Sequence, residues 1–194
     1  VNLLYLLGGT QDPSLLPYLE EKCNSPYDEI REGAAKSYVK NAGLVARPFV
    51  QKILSESEEK YGYNCKYYAF KEFFDQIAQA AVAKATQGKI DAAYAMLIEQ
   101  VLNEQNESIA WELDKRLAQH LPEYRASHQR NVVLSHFLQS PNEIARANFR
   151  KKQEELQKTP KAERTDLSKR FPGLAEVKLE DEKQTETTKP EEDK

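Results

Sequence analysis

The sequence predicts an all-α protein built as an α-solenoid, in which antiparallel helix pairs stack side by side, with a disordered acidic and polar tail after them. Three observations predict this fold class. Apolar residues recur at spacings of three and four in successive segments, and most segments open on a capping residue. Equivalent apolar positions, such as Leu19 with Leu97 and Ile30 with Ile109, repeat at offsets of 78 and 79 residues, which is two repeats of about 39. The chain has only 7 glycines in 194 residues and few alternating segments, which favours helix over sheet.

The first complete helix pair is predicted between Asp12 and Gly43. Asp12 is a suitable N-cap, and Pro13 follows at the first helical position, where its missing N–H is no loss. Ser25-Pro26 repeats this start signal for the second helix, and Gly43 stands where a C-terminal glycine cap belongs. The two stripes that these helices would bury consist of Leu15, Leu16, Leu19 and Cys23, then Tyr27, Ile30, Ala34 and Tyr38.

Three further pairs are predicted downstream. Pro48 begins a helix that carries Phe49, Val50, Ile53 and Leu54, and a long helix follows from about Asn64 to Thr86, closed by Gly88. In the third pair, Ile90 to Leu102 form the first helix and Asn106 caps the second. The fourth pair spans Pro122 to Lys158, and Ser140-Pro141-Asn142-Glu143 reads as a capping box at the start of its second helix.

These elements divide the chain into three parts. Residues 1–158 are a helical repeat domain of about four pairs, the first of them truncated. Residues 159–179 contain scattered apolar side chains and are a weakly ordered strap, of which Asp166 to Leu179 either docks on the repeats or stays mobile. Residues 180–194 are almost entirely polar and cannot offset the entropy of ordering, so we expect them to be disordered. Because Val1 falls inside a helical pattern, we expect more of the repeat array to lie upstream of it.

The first 43 residues resemble short bacterial HEAT repeats. Leu6-Leu7-Gly8, Asp12-Pro13 and Leu16-Pro17-x-Leu19 are similar to the first half of that unit, and Glu29-Ile30-Arg31, Ala34-Ala35 and Gly43 to the second half. The resemblance implies a right-handed superhelix. It also implies that Asp12 and Arg31 belong to a ladder of ion pairs between repeats, and that the second helix of each pair lines a concave binding surface.

Composition excludes several classes of function. The formal net charge is −3, so no global attraction to nucleic acid or to an anionic membrane is expected. No run approaches the roughly 18 apolar residues of a membrane span. The chain has no HExxH motif, no glycine-rich phosphate loop and no local nucleophile with a base, so we expect no cofactor and no metal.

The candidate binding residues lie on the predicted second helices. Trp111 is the only tryptophan, and it is off the apolar stripe of its helix, so it is either a partner-binding anchor or a contact with the next repeat. The aromatic group from Tyr61 to Phe74 is either a ligand-binding groove or a helix buried on two sides, and Tyr68 and Phe73 flank its stripe. Charged positions of mixed sign complete the surface: Glu32, Lys36, Lys40, Lys71, Asp75, Glu112 and Lys115.

Three other groups have simpler interpretations. His120, His128 and His136 are spaced by eight residues, too far apart on a helix to share a metal ion. Arg146, Arg150, Lys151 and Lys152 form a basic edge, which is interpreted as a solvated helix face, with contact to phosphate or to an acidic partner segment as the alternative. Cys23 and Cys65 are interpreted as buried free thiols, with a disulfide between repeats as the alternative.

Two functions remain open at this stage. The first is a non-catalytic scaffold that binds a protein or peptide on the concave face. The second is a HEAT-like enzyme or enzyme-associated domain, since some proteins with such repeats act on bilin chromophores and some helical-repeat proteins excise damaged DNA bases. Asp75, set among aromatic residues, is the nearest candidate for a catalytic carboxylate.

Overall fold

The computed structural model describes residues 2–84 and 86–174, and within these ranges the chain is helical and contains no β-strand. This confirms the predicted all-α class. The described residues form nine α-helices: α1 (Asn2–Leu7), α2 (Leu16–Lys22), α3 (Asp28–Ala42), α4 (Arg47–Ser55), α5 (Glu58–Val82), α6 (Gln87–Asn103), α7 (Glu107–His120), α8 (His128–Phe137) and α9 (Glu143–Gln157).

The helices pack in two layers. In the layer that we call the odd layer, α1, α3, α5, α7 and α9 contact one another in series. In the even layer α4 packs on α6 and α6 on α8, while α2 reaches α4 through an ion pair between Glu20 and Lys52. Each even helix also packs against the odd helix that follows it in the chain. One apolar core therefore runs between the layers, from Leu4 in α1 to Leu156 in α9.

Two predicted N-caps are confirmed and two are wrong. The Asp12 carboxylate accepts from the Ser14 amide before a short 3₁₀ turn that leads into α2, and Asn106 accepts from the amides of Ser108 and Ile109. The Ser25 hydroxyl, however, accepts from the Tyr27 amide, and α3 starts three residues after Ser25. Ser140 likewise accepts from the Asn142 amide, while Asn142 itself caps α9. At both places proline follows the serine and the chain turns once more before the helix begins.

Glycine closes one helix and bends another. Gly43 ends α3 at a φ of 59°, as the sequence predicts. The long helix starts earlier than predicted, at Glu58, because it continues through Gly62 at a φ of 75° and a ψ of 159°. Only glycine adopts this conformation readily, so Gly62 is where the axis of α5 bends. Gly88 does not close α5 as predicted, since it lies in the first turn of α6.

The described part of the predicted strap, residues 159–174, docks on the helices. Thr165 forms a short parallel bridge with Ser127, with its amide donating to Ala126 and its carbonyl accepting from the His128 amide. The side chains of Leu167, Phe171 and Leu174 are buried. Residues 175–179, and the tail 180–194 for which we predicted disorder, lie outside the described residues.

None of the helices in the described ranges combines the length and the apolar character that crossing a membrane requires.

Candidate functional site

A row of tyrosine rings and basic side chains crosses the odd layer from α1 to α7. Lys36 of α3 lies with its Nζ 5.0 Å from the ring centre of Tyr5 and 6.0 Å from that of Tyr68. Lys71 lies 5.6 Å from the ring of Tyr68 and 5.7 Å from that of Tyr67. Arg116 of α7 lies 5.8 Å from the same Tyr67 ring. We call these six residues the cation–tyrosine band: Tyr5, Lys36, Tyr67, Tyr68, Lys71 and Arg116.

In the described ranges, the cations of this band form no ion pair within 4 Å, although Lys36 is close enough to the buried Glu72 to oppose the rise that burial causes in the pKa of that carboxyl. Among the described residues, Lys22, Lys52, Lys60 and Lys115 pair with a glutamate within 4 Å, whereas Lys36, Lys71 and Arg116 pair with no carboxylate. Within the part of the chain that the structure describes, the one carboxylate that bonds a member of the band is Glu32, which accepts a hydrogen bond from the Tyr5 hydroxyl. Partial burial and this bond raise the pKa of Tyr5 to about 12. The band therefore presents positive charge over half-buried aromatic rings.

A second feature lies beside the band, where α7 and α9 begin side by side. Asn106 and Asn142 cap the two helices, and the Ser140 hydroxyl donates to the Glu107 carboxylate, which ties one N-terminus to the other. Between them is a groove of about 240 Å³. We call it the Trp111 groove; its main lining side chains are Tyr63, Glu107, Trp111, Glu112, Ile144 and Phe149.

A buried ion cluster positions the tryptophan of this groove. The fully buried Asp114 carboxylate accepts from Arg130 Nε at 3.0 Å and from Lys152 Nζ at 2.7 Å. The same Lys152 ammonium lies 3.4 Å from the ring centre of Trp111, and Phe149 meets that indole edge to face. A cation over the ring face and an aromatic ring packed edge to face both attract the indole. Lys152 and Phe149 therefore set the orientation of Trp111.

The charged groups around Asp114 are buried together and depend on one another for their counter-charges. Burial lowers the pKa of Lys152, and the Asp114 carboxylate opposes that shift. Burial, with Asp114 nearby, raises the pKa of Tyr124, whose hydroxyl donates to the same carboxylate. These groups are paired and enclosed, so their role is to join α7, α8 and α9 rather than to meet a ligand.

The predicted binding residues fall into three sets. Lys36 and Tyr68 meet in the band, together with Lys71. Trp111 and Glu112 meet in the groove, where the Glu112 carboxylate also lies 3.7 Å from the ammonium of Lys115. The remaining surface positions, Lys40 and Asp75, are exposed on the odd layer outside both features.

Phe73 requires a correction. It is fully buried among core side chains, so it cannot contact a partner as we predicted for a flanking residue. The half-buried face of α5 carries Tyr63, Tyr67 and Tyr68 instead. The prediction of an Asp12–Arg31 ladder also needs revision. Asp12 is exposed and caps its own turn, whereas Arg31 donates to the Ser25 carbonyl, pairs with Asp28 and bonds the Tyr61 carbonyl of α5 at 3.1 Å.

The sequence did not predict several residues of the site. Tyr5 and Arg116 belong to the band, yet neither stands out from the apolar stripes around it. Lys152 was interpreted as part of a solvated basic edge, but its ammonium is enclosed beside Asp114. A signal did exist, because Lys152 lies three residues after Phe149 and shares its helix face. No sequence pattern showed that this face meets a buried aspartate 38 residues earlier.

The cysteines and potential metal ligands contribute no site. Cys23 and Cys65 are buried free thiols, and the neighbouring Cys65 thiol, with burial, raises the pKa of the Cys23 thiol. Residues 2–84 and 86–174 contain no cluster of three or more His, Cys, Asp or Glu side chains that could bind a metal ion.

Comparisons with known proteins leave the site to be interpreted on its own geometry. No protein-family model matches this chain, and neither does any curated protein or any solved structure.

Proposed function

We propose that this chain is a non-catalytic scaffold of the HEAT type, a right-handed α-solenoid that binds a protein segment along its odd layer. The repeat assignment is supported by the packing, since each even helix contacts the odd helix that follows it. The odd helices also contact one another in series, as do α4, α6 and α8. Such stacking buries faces that one pair alone would expose, and it leaves an extended surface for a partner.

The observation that carries the binding function is the cation–tyrosine band. Three half-buried basic groups that form no ion pair within 4 Å among the described residues favour an acidic ligand. The tyrosine rings supply contact area at low cost in side-chain entropy. The partner that fits is an extended protein segment whose acidic side chains reach Lys36, Lys71 and Arg116.

Nucleic acid fits this surface less well. Aromatic rings with basic neighbours can bind single strands, but such proteins track the backbone with a continuous positive groove. Here the band gives way at α7 to a groove edged by Glu107 and Glu112, and the chain as a whole is negative. A polyphosphate following the odd layer would meet these carboxylates.

Catalysis is not part of the proposal. The alternative, a chromophore-lyase-like or DNA-glycosylase-like enzyme, needs an acidic residue placed in a cleft beside its substrate. Asp75, our sequence-based candidate, is exposed. Asp114 is enclosed behind Arg130 and Lys152. Neither carboxylate is positioned to act on a bound ligand.

The test is selection of peptides from a random displayed library against the full chain, followed by affinity measurements on the enriched sequences. We expect acidic peptides, and the Lys36→Ala, Lys71→Ala double variant should bind them at least about tenfold more weakly, which is ~1.4 kcal/mol. The matched control is Lys89→Ala, Lys158→Ala, which removes the same charge from exposed positions away from the band. It should stay within about twofold of the wild type.

Two results would overturn the proposal. One is the absence of enriched peptides, or enriched peptides whose binding does not depend on the band. The other is tighter binding of single-stranded oligonucleotides that is lost in the band variant, which would assign this surface to nucleic acid. Circular dichroism of each variant establishes that the helices remain folded.

A further inference from the structure

The Trp111 groove has the opposite electrostatic character to the band next to it. Its floor is apolar, formed by Trp111, Phe149 and the side of Tyr63, and Ile144 stands at its edge with 75% of its surface exposed. Its polar edge carries two carboxylates, those of Glu107 and Glu112. Among the described residues no basic side chain lines it: the ammonium of Lys152 lies behind the indole, paired with Asp114, and Lys115, which pairs with Glu112, is not part of the lining.

The size of the groove limits what enters it. A volume of about 240 Å³ is below the range of about 300–1,000 Å³ that is usual for small-molecule and cofactor pockets. It suits one aliphatic side chain of a partner. The exposed Ile144 is the free edge of this apolar surface, and Trp111, fixed in place by Lys152 and Phe149, needs no reordering when a ligand arrives.

The charges around Tyr63 indicate which residue of the partner stands next to the bound aliphatic side chain. Burial, followed by the neighbouring Glu112 and Tyr67 and then Glu58, raises the pKa of the Tyr63 hydroxyl. Glu58 reaches this area because its carboxylate accepts from Asn106, the cap of α7. Glu107 and Glu112 therefore line one end of an apolar groove, and Glu58 lies nearby. Lys115, half exposed and 3.7 Å from Glu112, balances only part of this negative charge, so a lysine or arginine of the partner would complement it.

We propose that the Trp111 groove binds an aliphatic side chain of the partner that is directly flanked by a basic residue. This proposal deepens the scaffold function and rests on it. Together with the band, the groove sets the order of residue types along the bound segment. Acidic residues lie over α3 and α5, and the aliphatic residue with its basic neighbour lies at α7 and α9. Tyr63, which stacks on Tyr67 at 5.9 Å and also lines the groove, connects the two features.

Trp111 makes the test direct, because the emission of the only tryptophan in the chain reports on the groove itself. Three short peptides with acetylated and amidated ends carry the same central leucine, flanked by lysines, by glutamines or by glutamates. Added to the full chain, the lysine peptide should change the Trp111 emission and bind at least about tenfold more tightly than the glutamate peptide. High salt should reduce that difference, since the groove edge is solvent-accessible.

Variants separate the apolar contact from the charge. Ile144→Ser changes an exposed side chain, so the fold should be unaffected, and all three peptides should bind more weakly. Glu112→Gln should weaken the lysine peptide by about threefold to tenfold and leave the glutamine peptide unchanged. Glu99→Gln, an exposed glutamate of α6 in the even layer, is the matched control and should change nothing.

Equal affinity for the lysine and glutamate peptides would overturn the proposal, as would an unchanged Trp111 emission or binding that Ile144→Ser does not alter. These failures differ from failure of the scaffold function. If displayed ligands depend on Lys36 and Lys71 but ignore Ile144 and Glu112, the groove proposal is wrong and the scaffold stands. If the lysine peptide binds the groove but no ligand depends on the band, the scaffold proposal is wrong as stated.

Discussion

Two lysine–carboxylate pairs of equal length join helices in different regions of this protein. Lys52 Nζ lies 2.7 Å from Glu20 and links α2 to α4, and Lys152 Nζ lies 2.7 Å from Asp114 and links α7 to α9. The first pair is nearly half exposed, with 48% and 43% of the two side chains accessible, whereas the Asp114 side chain is fully enclosed. The same contact therefore stands in two different dielectric environments.

The two regions also differ in the interactions that hold their helices together. Around α3 and α5 the helices approach closely through small buried residues such as Ala34, Ala35 and Ala69, so apolar packing supplies the cohesion. Around α7, α8 and α9 a charged cluster occupies part of the interior, and its members are costly to separate. The distance of an ion pair therefore says little about its contribution to stability until its burial is known.

Removing the buried carboxylate should have the largest effect. Asp114→Ala leaves Arg130 and Lys152 enclosed without their counter-charge, so we expect a loss of about 3–5 kcal/mol in the free energy of unfolding. Urea denaturation measures it, with the exposed Asp75→Ala as the control. The loss should be smaller near pH 9 than near pH 6, because burial lowers the pKa of Lys152 and its neutral form then relieves the repulsion. A loss below about 1 kcal/mol would show that the cluster is dispensable.

In the N-terminal region a special backbone conformation adds to the apolar packing. At Gly62 an added Cβ would strain a φ of 75° and lie 3.4 Å from Arg31 Nη2, the side chain that bonds the Tyr61 carbonyl. Gly62→Ala should therefore cost about 1–3 kcal/mol in the free energy of unfolding, measured by urea denaturation. Gly88→Ala is the matched control, because its Cβ meets nothing within 4 Å in a helical turn. It should be neutral or stabilising by up to about 1 kcal/mol.

Alkaline titration compares one tyrosine from each region. The pKa of Tyr5 is raised to about 12 and that of Tyr124 is raised well above its usual value, so both phenols hold their protons more tightly in the folded state. Their contribution to stability is present below pH 10 and is lost as the pH rises through 10 to 12 and beyond.

Tyr124→Phe should cost about 1 kcal/mol at neutral pH, since the hydrogen bond to Asp114 is lost, and should make the alkaline decline shallower. Tyrosinate absorbance and circular dichroism, followed together against pH, measure the effect. A Tyr124 that ionises while the helices remain intact would contradict the enclosed cluster.

The exposed pair should show the smallest effect. A double-mutant cycle with Glu20→Gln and Lys52→Gln should give a coupling of about 0–1 kcal/mol, decreasing as salt is added. A salt-independent coupling above about 2 kcal/mol would show that the exposed pair stabilises the fold as a buried pair does, and would contradict the difference from Asp114.

Local signals predicted much of the framework. Asp12 and Asn106 cap helices because a short polar side chain can reach the free amides two or three residues ahead, and Gly43 ends a helix because it tolerates a positive φ. Other local signals were ambiguous. Ser140 looked like a cap but Asn142 took that role, and Gly62 bent a helix that the pattern placed further along.

The candidate site was predicted only in part. Lys36, Tyr68, Trp111 and Glu112 are placed on the surface features described above, whereas Phe73 is in the core. The difference arises because α5 is covered by both α3 and α7, so neighbouring positions on one helix differ in exposure.

The sequence by itself determined the helical class, some helix starts and ends such as those at Asn106 and Gly43, and the apolar stripes, because these depend on residues within a few positions of one another. The tertiary structure alone decided which charges are enclosed, which rings meet which cations, and which helix N-termini lie together to form a groove. Those properties depend on pairs such as Asp114 with Lys152 and Tyr5 with Lys36, which are separated by many residues and meet only when the layers pack.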